Sequence, residues 1–140
     1  MKKIAFIMVL LIGGFAIDAS AQCVQGNCHN GNGKFVFDNG DVYKGQWQEG
    51  KPHGSGRYDF ADGSYYTGEF SQGKFHGDGR YTWKDKSKYE GNWKEGQRDG
   101  FGKFPWANGD TYYGHWAGGV IVDTEVKTTS ECQEKPTIGN

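Results

Sequence analysis

Between Asp41 and Gly63, apolar and polar side chains alternate in two short runs. Tyr43, Gly45 and Trp47 fall on one side of a two-residue period, and Val42, Lys44, Gln46 and Gln48 fall on the other. That pattern predicts a strand with one covered and one wet face. After a loop around Glu49 to His53, Gly54, Gly56, Tyr58 and Phe60 share one face, opposite Ser55, Arg57 and Asp59. The segment therefore predicts a β-hairpin. Asp62-Gly63 ends it with a pair able to adopt positive φ, as do Asn39-Gly40 and Asn108-Gly109 at equivalent places. A helix is excluded, because glycine at this density would cost about 1 kcal/mol per residue relative to alanine.

The pattern returns every 23 residues. Tyr43, Tyr66, Tyr89 and Tyr112 are each followed two residues on by Gly45, Gly68, Gly91 and Gly114, and four on by Trp47, Phe70, Trp93 and Trp116. Three full copies span 41–63, 64–86 and 87–109. Gly31, Gly33, Phe35, Phe37 and Gly40 form an opening half-copy, and Tyr112, Gly114, Trp116 and Gly119 a closing one. The expected fold is all-β: a single-layer, elongated antiparallel meander of stacked 23-residue hairpins over residues 22–122. About eight strands spaced roughly 4.8 Å apart make an array on the order of 40 Å long, and Val120-Ile121-Val122 reads as a strand closing it. Glycine weakens strands, so its place on the ring face needs a cause. A tyrosine or tryptophan ring can lie flat over a backbone that has no Cβ.

The string Tyr-x-Gly-x-aromatic, then Gly-x-x-x-Gly-x-Gly-x-aromatic-x-aromatic, resembles the MORN (membrane occupation and recognition nexus) repeat. Tyr43, Gly45, Trp47, Gly50, Gly54, Gly56, Tyr58, Phe60 and Gly63 carry it first. Tyr66, Gly68, Phe70, Gly73, Gly77, Gly79, Tyr81 and Trp83 follow, then Tyr89, Gly91, Trp93, Gly96, Gly100, Gly102, Phe104, Trp106 and Gly109. The resemblance covers about residues 27–119 and implies a protein-interaction or scaffolding module, with acidic phospholipids a ligand attributed to some such arrays. It brings no catalytic residues. Two positions depart from the pattern: Lys86 replaces a turn glycine, so the turn at Asp85-Lys86 is expected to differ in type, and Pro105 inside a strand calls for an outward-facing nitrogen or a bulge.

The first segment reads differently. Lys2 and Lys3 precede an apolar run from Ile4 to Ile17, and Ala19-Ser20-Ala21 supplies a small-residue cleavage site. Residues 1–21 are expected to be a signal peptide cut before Gln22, placing the protein in the periplasm or outside the cell. The run is short for a membrane span, which takes about 20 apolar residues, and Gln22 before Cys23 argues against lipidation. Of three cysteines left in an oxidising compartment, Cys23 and Cys28 can bridge locally; pairing of Cys28 with Cys132 is the alternative. The formal net charge of −1, with both signs interspersed, argues against nucleic acid. Residues 123–140 read as a polar tail.

Candidate chemistry lies on the polar face. Lys34, Arg57, Arg80 and Lys103 repeat at one position and predict a cationic row with neighbours about 10 Å apart, able to meet phosphates or carboxylates. The competing reading is a solvated face, its cations paired across strands with Asp59, Glu69, Asp78 or Glu90. His53, His76 and Asp99 are equivalent loop positions about 10 Å apart, too far to share a metal, so neither metal nor cofactor is expected. Phe101, Tyr113 and His115 make the C-terminal end of this face more apolar, as a contact surface or as a seat for the chain's own tail through Val120 to Val122. The sequence thus points to a non-enzymatic exported binding or scaffold module that engages a protein or cell-envelope component. The alternative is peripheral binding of anionic lipid headgroups or glycans through the row and an aromatic groove.

Overall fold

A computed structural model describes residues 21–106 and 109–122. Residues 1–20 of the expected signal peptide, the 123–140 tail, Cys132 and Asn108 lie outside those residues. Ten strands among them pair in chain order into one antiparallel sheet. They are β1 (Gln22–Gly26), β2 (Gly31–Val36), β3 (Val42–Gln48), β4 (Lys51–Asp59), β5 (Tyr65–Ser71), β6 (Lys74–Thr82), β7 (Lys88–Lys94), β8 (Gln97–Pro105), β9 (Thr111–Ala117) and β10 (Val120–Ile121). The meander of hairpins is as the 23-residue pattern predicts. The count exceeds eight because β1 pairs ahead of the opening half-copy and β10 pairs with Ala117 and Trp116.

Two kinds of turn alternate. The loop expected from Glu49 to His53 contracts to Glu49-Gly50, with φ of 51° and 73°, and His53 lies within β4. Gln72-Gly73, Glu95-Gly96 and Gly118-Gly119 repeat that double positive φ, the type I′ geometry whose twist matches a hairpin. Each such turn also reaches the preceding repeat. The amides of Gly50, Gly73, Gly96 and Gly119 donate to the carbonyls of His29, Pro52, Phe75 and Arg98 at 2.8–3.0 Å.

The other turns close through a pair of hydrogen bonds, as when Phe37 donates to Asp41 O at 2.9 Å and Gly40 to Phe37 O at 3.0 Å. Lys86 corrects the expectation of a different turn: its φ is 72°, and the bonds Trp83 to Ser87 O and Lys86 to Trp83 O match those of the glycine turns. The Asp85 carboxylate holds the bend by accepting from the Ser87 amide (2.9 Å) and hydroxyl (2.6 Å). The ladders on either side leave the lysine no other backbone conformation. Lys86→Gly should therefore stabilise the protein by up to about 1 kcal/mol, the order of the left-handed penalty for a side chain, read as a rise of a few degrees in thermal melting.

Pro105 removes a ladder donor, as its place inside a strand implies. It ends β8, an internal strand, opposite Thr111 of β9. Pairing of β7 with β8 stops at Glu90–Lys103, whereas β3–β4 and β5–β6 run two pairs beyond the equivalent position. The ring, with no N–H to give, coincides with a shortened ladder, and no register shift falls at Pro105 itself.

The core is a ring layer on one face of the sheet. Tyr43, Tyr66, Tyr89 and Tyr112 are fully buried, and Trp47, Phe70, Trp93 and Trp116 nearly so. A glycine row crosses nine strands beneath them, from Gly26 and Gly33 to Gly102 and Gly114. A Cβ on Gly56, Gly79 or Gly102 would run into the ring of Tyr43, Tyr66 or Tyr89. Gly45, Gly68 and Gly91 have less give, because their Cβ would lie 2.5 Å from the Cα of the glycine opposite, a backbone atom. Backbone, as well as rings, demands these glycines.

A bulge explains why the ring is tyrosine. Between Gly45 and Trp47 the register against β4 jumps from Gly56 to Pro52. Tyr43 folds over its own strand and donates its hydroxyl to Gln46 O at 2.9 Å; Tyr66 to Glu69 O (2.9 Å) and Tyr89 to Asn92 O (3.1 Å) repeat the bond. Across the bulge, Gln46 Oε1 accepts from the Ser55 amide and Asn92 Oδ1 from the Phe101 amide. Burial pushes the Tyr89 hydroxyl up to about 12, so it stays a donor.

Asp41 ties one turn to the next, accepting from Tyr58 Oη and the Ala61 amide at 2.8 Å and from Asn39 Nδ2 at 2.9 Å. Burial alone would raise its pKa, but these donors outweigh it and hold the carboxyl below its ordinary value. A depressed folded-state pKa contributes stability above the unfolded value of about 3.9 and loses it as pH falls through the folded value. Asp41→Ser, the residue found at the equivalent Ser64 and Ser87, is expected to flatten the loss of melting temperature below about pH 4. Identical acid limbs for parent and variant would contradict that assignment.

Candidate functional site

On the face opposite the rings, the residue beside each row glycine, alternately after it and before it along successive antiparallel strands, forms a line across the sheet. Lys34 pairs with Lys44, Lys44 with Arg57, Arg57 with Thr67, Thr67 with Arg80, Arg80 with Glu90, and Glu90 with Lys103. The four cations expected from the repeat share this line. The intervening strands decide its character, and there Lys44 is a residue that the 23-residue period does not reveal. Its equivalents are Thr67, Glu90 and Tyr113; only the turn at Asn39-Gly40, which sets Lys34 opposite Lys44, signals it.

The row is therefore not uniform. Arg80 Nε is 2.5 Å from Glu90 Oε1, a cross-strand pair of the expected kind. Arg57 binds Asp59 at 2.6 Å, but along its own strand, and its guanidinium stacks 4.0 Å from the Tyr65 ring. Asp59 holds the Arg57 pKa above its ordinary value. Lys103 Nζ lies 5.7 Å from the Tyr113 ring. Lys34 and Lys44 form no ion pair among the described residues. Like charges directly opposite destabilise a ladder, and here Lys34, Lys44 and Arg57 occupy three consecutive strands.

These three cations border a hollow of about 720 Å³. Gly33, Gly45, Gly56 and Gly68 form its floor, and Asn32, Ser55, Glu69 and Asp78 lie along the opposite wall. One wall is basic, the other polar to acidic, and the floor is bare backbone. An extended ligand lying across the strands could set anionic groups against the basic wall and donors against the other.

The remaining candidates are less organised. His53 and His76 each bury an Nδ1 with no hydrogen-bond partner, and Glu69 lies opposite His76. Among the described residues no three His, Cys, Asp or Glu side chains group as a metal site. Phe101 is half exposed, with its ring 5.7 Å from that of His115; Val120 and Val122, the tail residues offered as its cover, are themselves exposed and leave it open. Cys23 and Cys28 are joined by a disulfide, S–S 2.05 Å, beside the hollow's first strand. Among the described residues no helix is long and apolar enough to cross a membrane.

A family model described as MORN repeat matches four consecutive stretches, residues 29–42, 43–65, 66–88 and 89–111. The last three begin at the buried tyrosines. No curated protein matches the chain.

Proposed function

The chain belongs to the MORN-repeat family, and from that premise we propose that it is an exported, non-enzymatic binding module that grips an acidic segment of a protein or cell-envelope component on its polar face. One observation carries this reading: Lys34, Lys44 and Arg57 on adjacent strands at the edge of a 720 Å³ hollow, the two lysines without a described acidic partner. An unrelieved like-charge row costs stability, and an anionic ligand removes that cost. Export rests on the signal pattern of residues 1–21 and agrees with the Cys23–Cys28 disulfide, a bond that persists in oxidising compartments.

The reading is tested with a labelled glutamate-rich peptide and, separately, vesicles containing anionic lipid, each titrated with the protein from Gln22 onward. Peptide binding at low salt that fades at high salt supports it, since exposed charges are screened beyond about 10 Å at 0.1 M salt. Vesicle binding without peptide binding replaces the acidic segment by a membrane surface as the ligand. Binding of neither overturns the assignment.

A further inference from the structure

A second cleft lies on the ring face, near the C-terminal end. It measures about 290 Å³ and is bordered by Phe75, Tyr81, Trp83, Trp93 and Arg98, with the turn Gly118-Gly119 at its rim. Its chemistry comes from one position of the repeat. His29, Pro52, Phe75 and Arg98 recur at 23-residue intervals, and Phe75 lies flat on Tyr66, ring centroids 3.9 Å apart. Arg98 does not cover Tyr89 in that way. Its guanidinium stays 5.7 Å from the Tyr89 ring and leans over Trp116 at 4.0 Å.

That guanidinium is half-buried and has no counter-ion among the described residues. One nitrogen donates to Gly119 O at 2.9 Å, and Arg98 forms no ion pair with a described carboxylate. Its neighbour Asp99 instead accepts from the Gly118 amide at 3.2 Å. Burial without a partner carboxylate lowers the Arg98 pKa, the expected response of a cation held away from water. A guanidinium has five N–H donors, so several remain to bind a carboxylate in the two-pronged manner arginine favours. Beside it are rings: half-buried Tyr81 and Trp83 with centroids 4.9 Å apart, and half-buried Phe75 edge-on to the buried Trp93 at 5.4 Å. The cleft sits at the lower end of small-molecule pockets, about 300–1,000 Å³, which admits one ring rather than a chain.

We propose that this cleft is a site for a single carboxylate-bearing sugar ring, the carboxylate on Arg98 and the apolar ring face against Tyr81 and Trp83. The Gln97 side chain at the same rim supplies an amide for sugar hydroxyls, a polar group that an aromatic acid would leave unused. The site is separate from the Lys34–Lys44–Arg57 hollow. It lies on the opposite face of the sheet, so either can be lost without the other.

The test is tryptophan fluorescence of the protein from Gln22 onward, titrated with glucuronic acid, glucose and benzoate. Glucuronic acid is expected to shift the emission at concentrations at least tenfold below glucose. Arg98→Gln should remove the difference, and Lys44→Glu should leave it intact. Because Arg98 also covers Trp116, Arg98→Lys and melting curves of each variant accompany the titration; a folded lysine variant should bind more weakly than the parent but better than glutamine. Equal responses to glucose and glucuronic acid would overturn the role of Arg98. A response to benzoate alone would overturn the sugar, and no response to any probe would overturn the site.

Discussion

Gly68→Ala is expected to lower the melting temperature by roughly 10–25 °C, the shift that corresponds to about 3 kcal/mol in a domain of this size. The added methyl has nowhere to go. Its carbon would lie 2.5 Å from Gly79 Cα, 2.6 Å from Asp78 O and 2.7 Å from Tyr66 Oη, and two of those three atoms are backbone held by ladders on both sides. Close-packed interiors answer such overlap with strain rather than relaxation. Gly63→Ala makes the control. Gly63 has φ of 92° with nothing near its missing Cβ, so alanine there meets only the left-handed penalty of about 1–2 kcal/mol. A Gly68→Ala curve that overlays the parent would refute the close-approach account of the glycine row.

The second large effect concerns binding rather than folding. Lys34→Glu combined with Lys44→Glu should weaken association with a glutamate-rich peptide at least about tenfold, or about 1.4 kcal/mol, at low salt. The fold should hold, because both side chains lie on the wet face and the swap places carboxylates beside Arg57. Arg80→Glu should do much less, since Glu90 already engages that guanidinium at 2.5 Å. This ranking separates a localised basic wall from a row acting along the whole sheet. Equal losses from the double lysine change and from Arg80→Glu would restore the uniform row and discard the hollow.

Why the fold was so legible, and the site less so, has a physical basis. Tyr43, Gly45 and Trp47 share a face because strand geometry allows no other arrangement at a spacing of two, and the 23-residue period repeats that statement often enough to leave no ambiguity of register. Turn type was harder. Lys86 shows that a left-handed position can be forced on a lysine when flanking ladders and Asp85 fix the bend, so its residue type alone misleads. The bulge that takes the Tyr43 hydroxyl was hidden as well, because the glycines at 54 and 56 read equally as plain strand. In the site, the period points to Lys34, Arg57, Arg80 and Lys103 but conceals Lys44, whose partnership with Lys34 belongs to one turn only. Arg98 escapes for the opposite reason. Its column holds His29, Pro52, Phe75 and Arg98, four side chains with no common chemistry, and only the contrast with Phe75, which stacks on Tyr66 where Arg98 leans away from Tyr89, makes the odd member visible.

The amide of each two-residue turn donates to a carbonyl of the preceding unit, so Gly50, Gly73, Gly96 and Gly119 all reach backward in the same way. These bonds among the described residues thereby run between a unit and its immediate predecessor. Duplication or deletion of one 23-residue stretch of the gene would leave every such handshake intact, and lengthen or shorten both faces by one hairpin. The reach of the surface toward a ligand is then set by copy number, a quantity that can change in one genetic step without redesigning a single side chain.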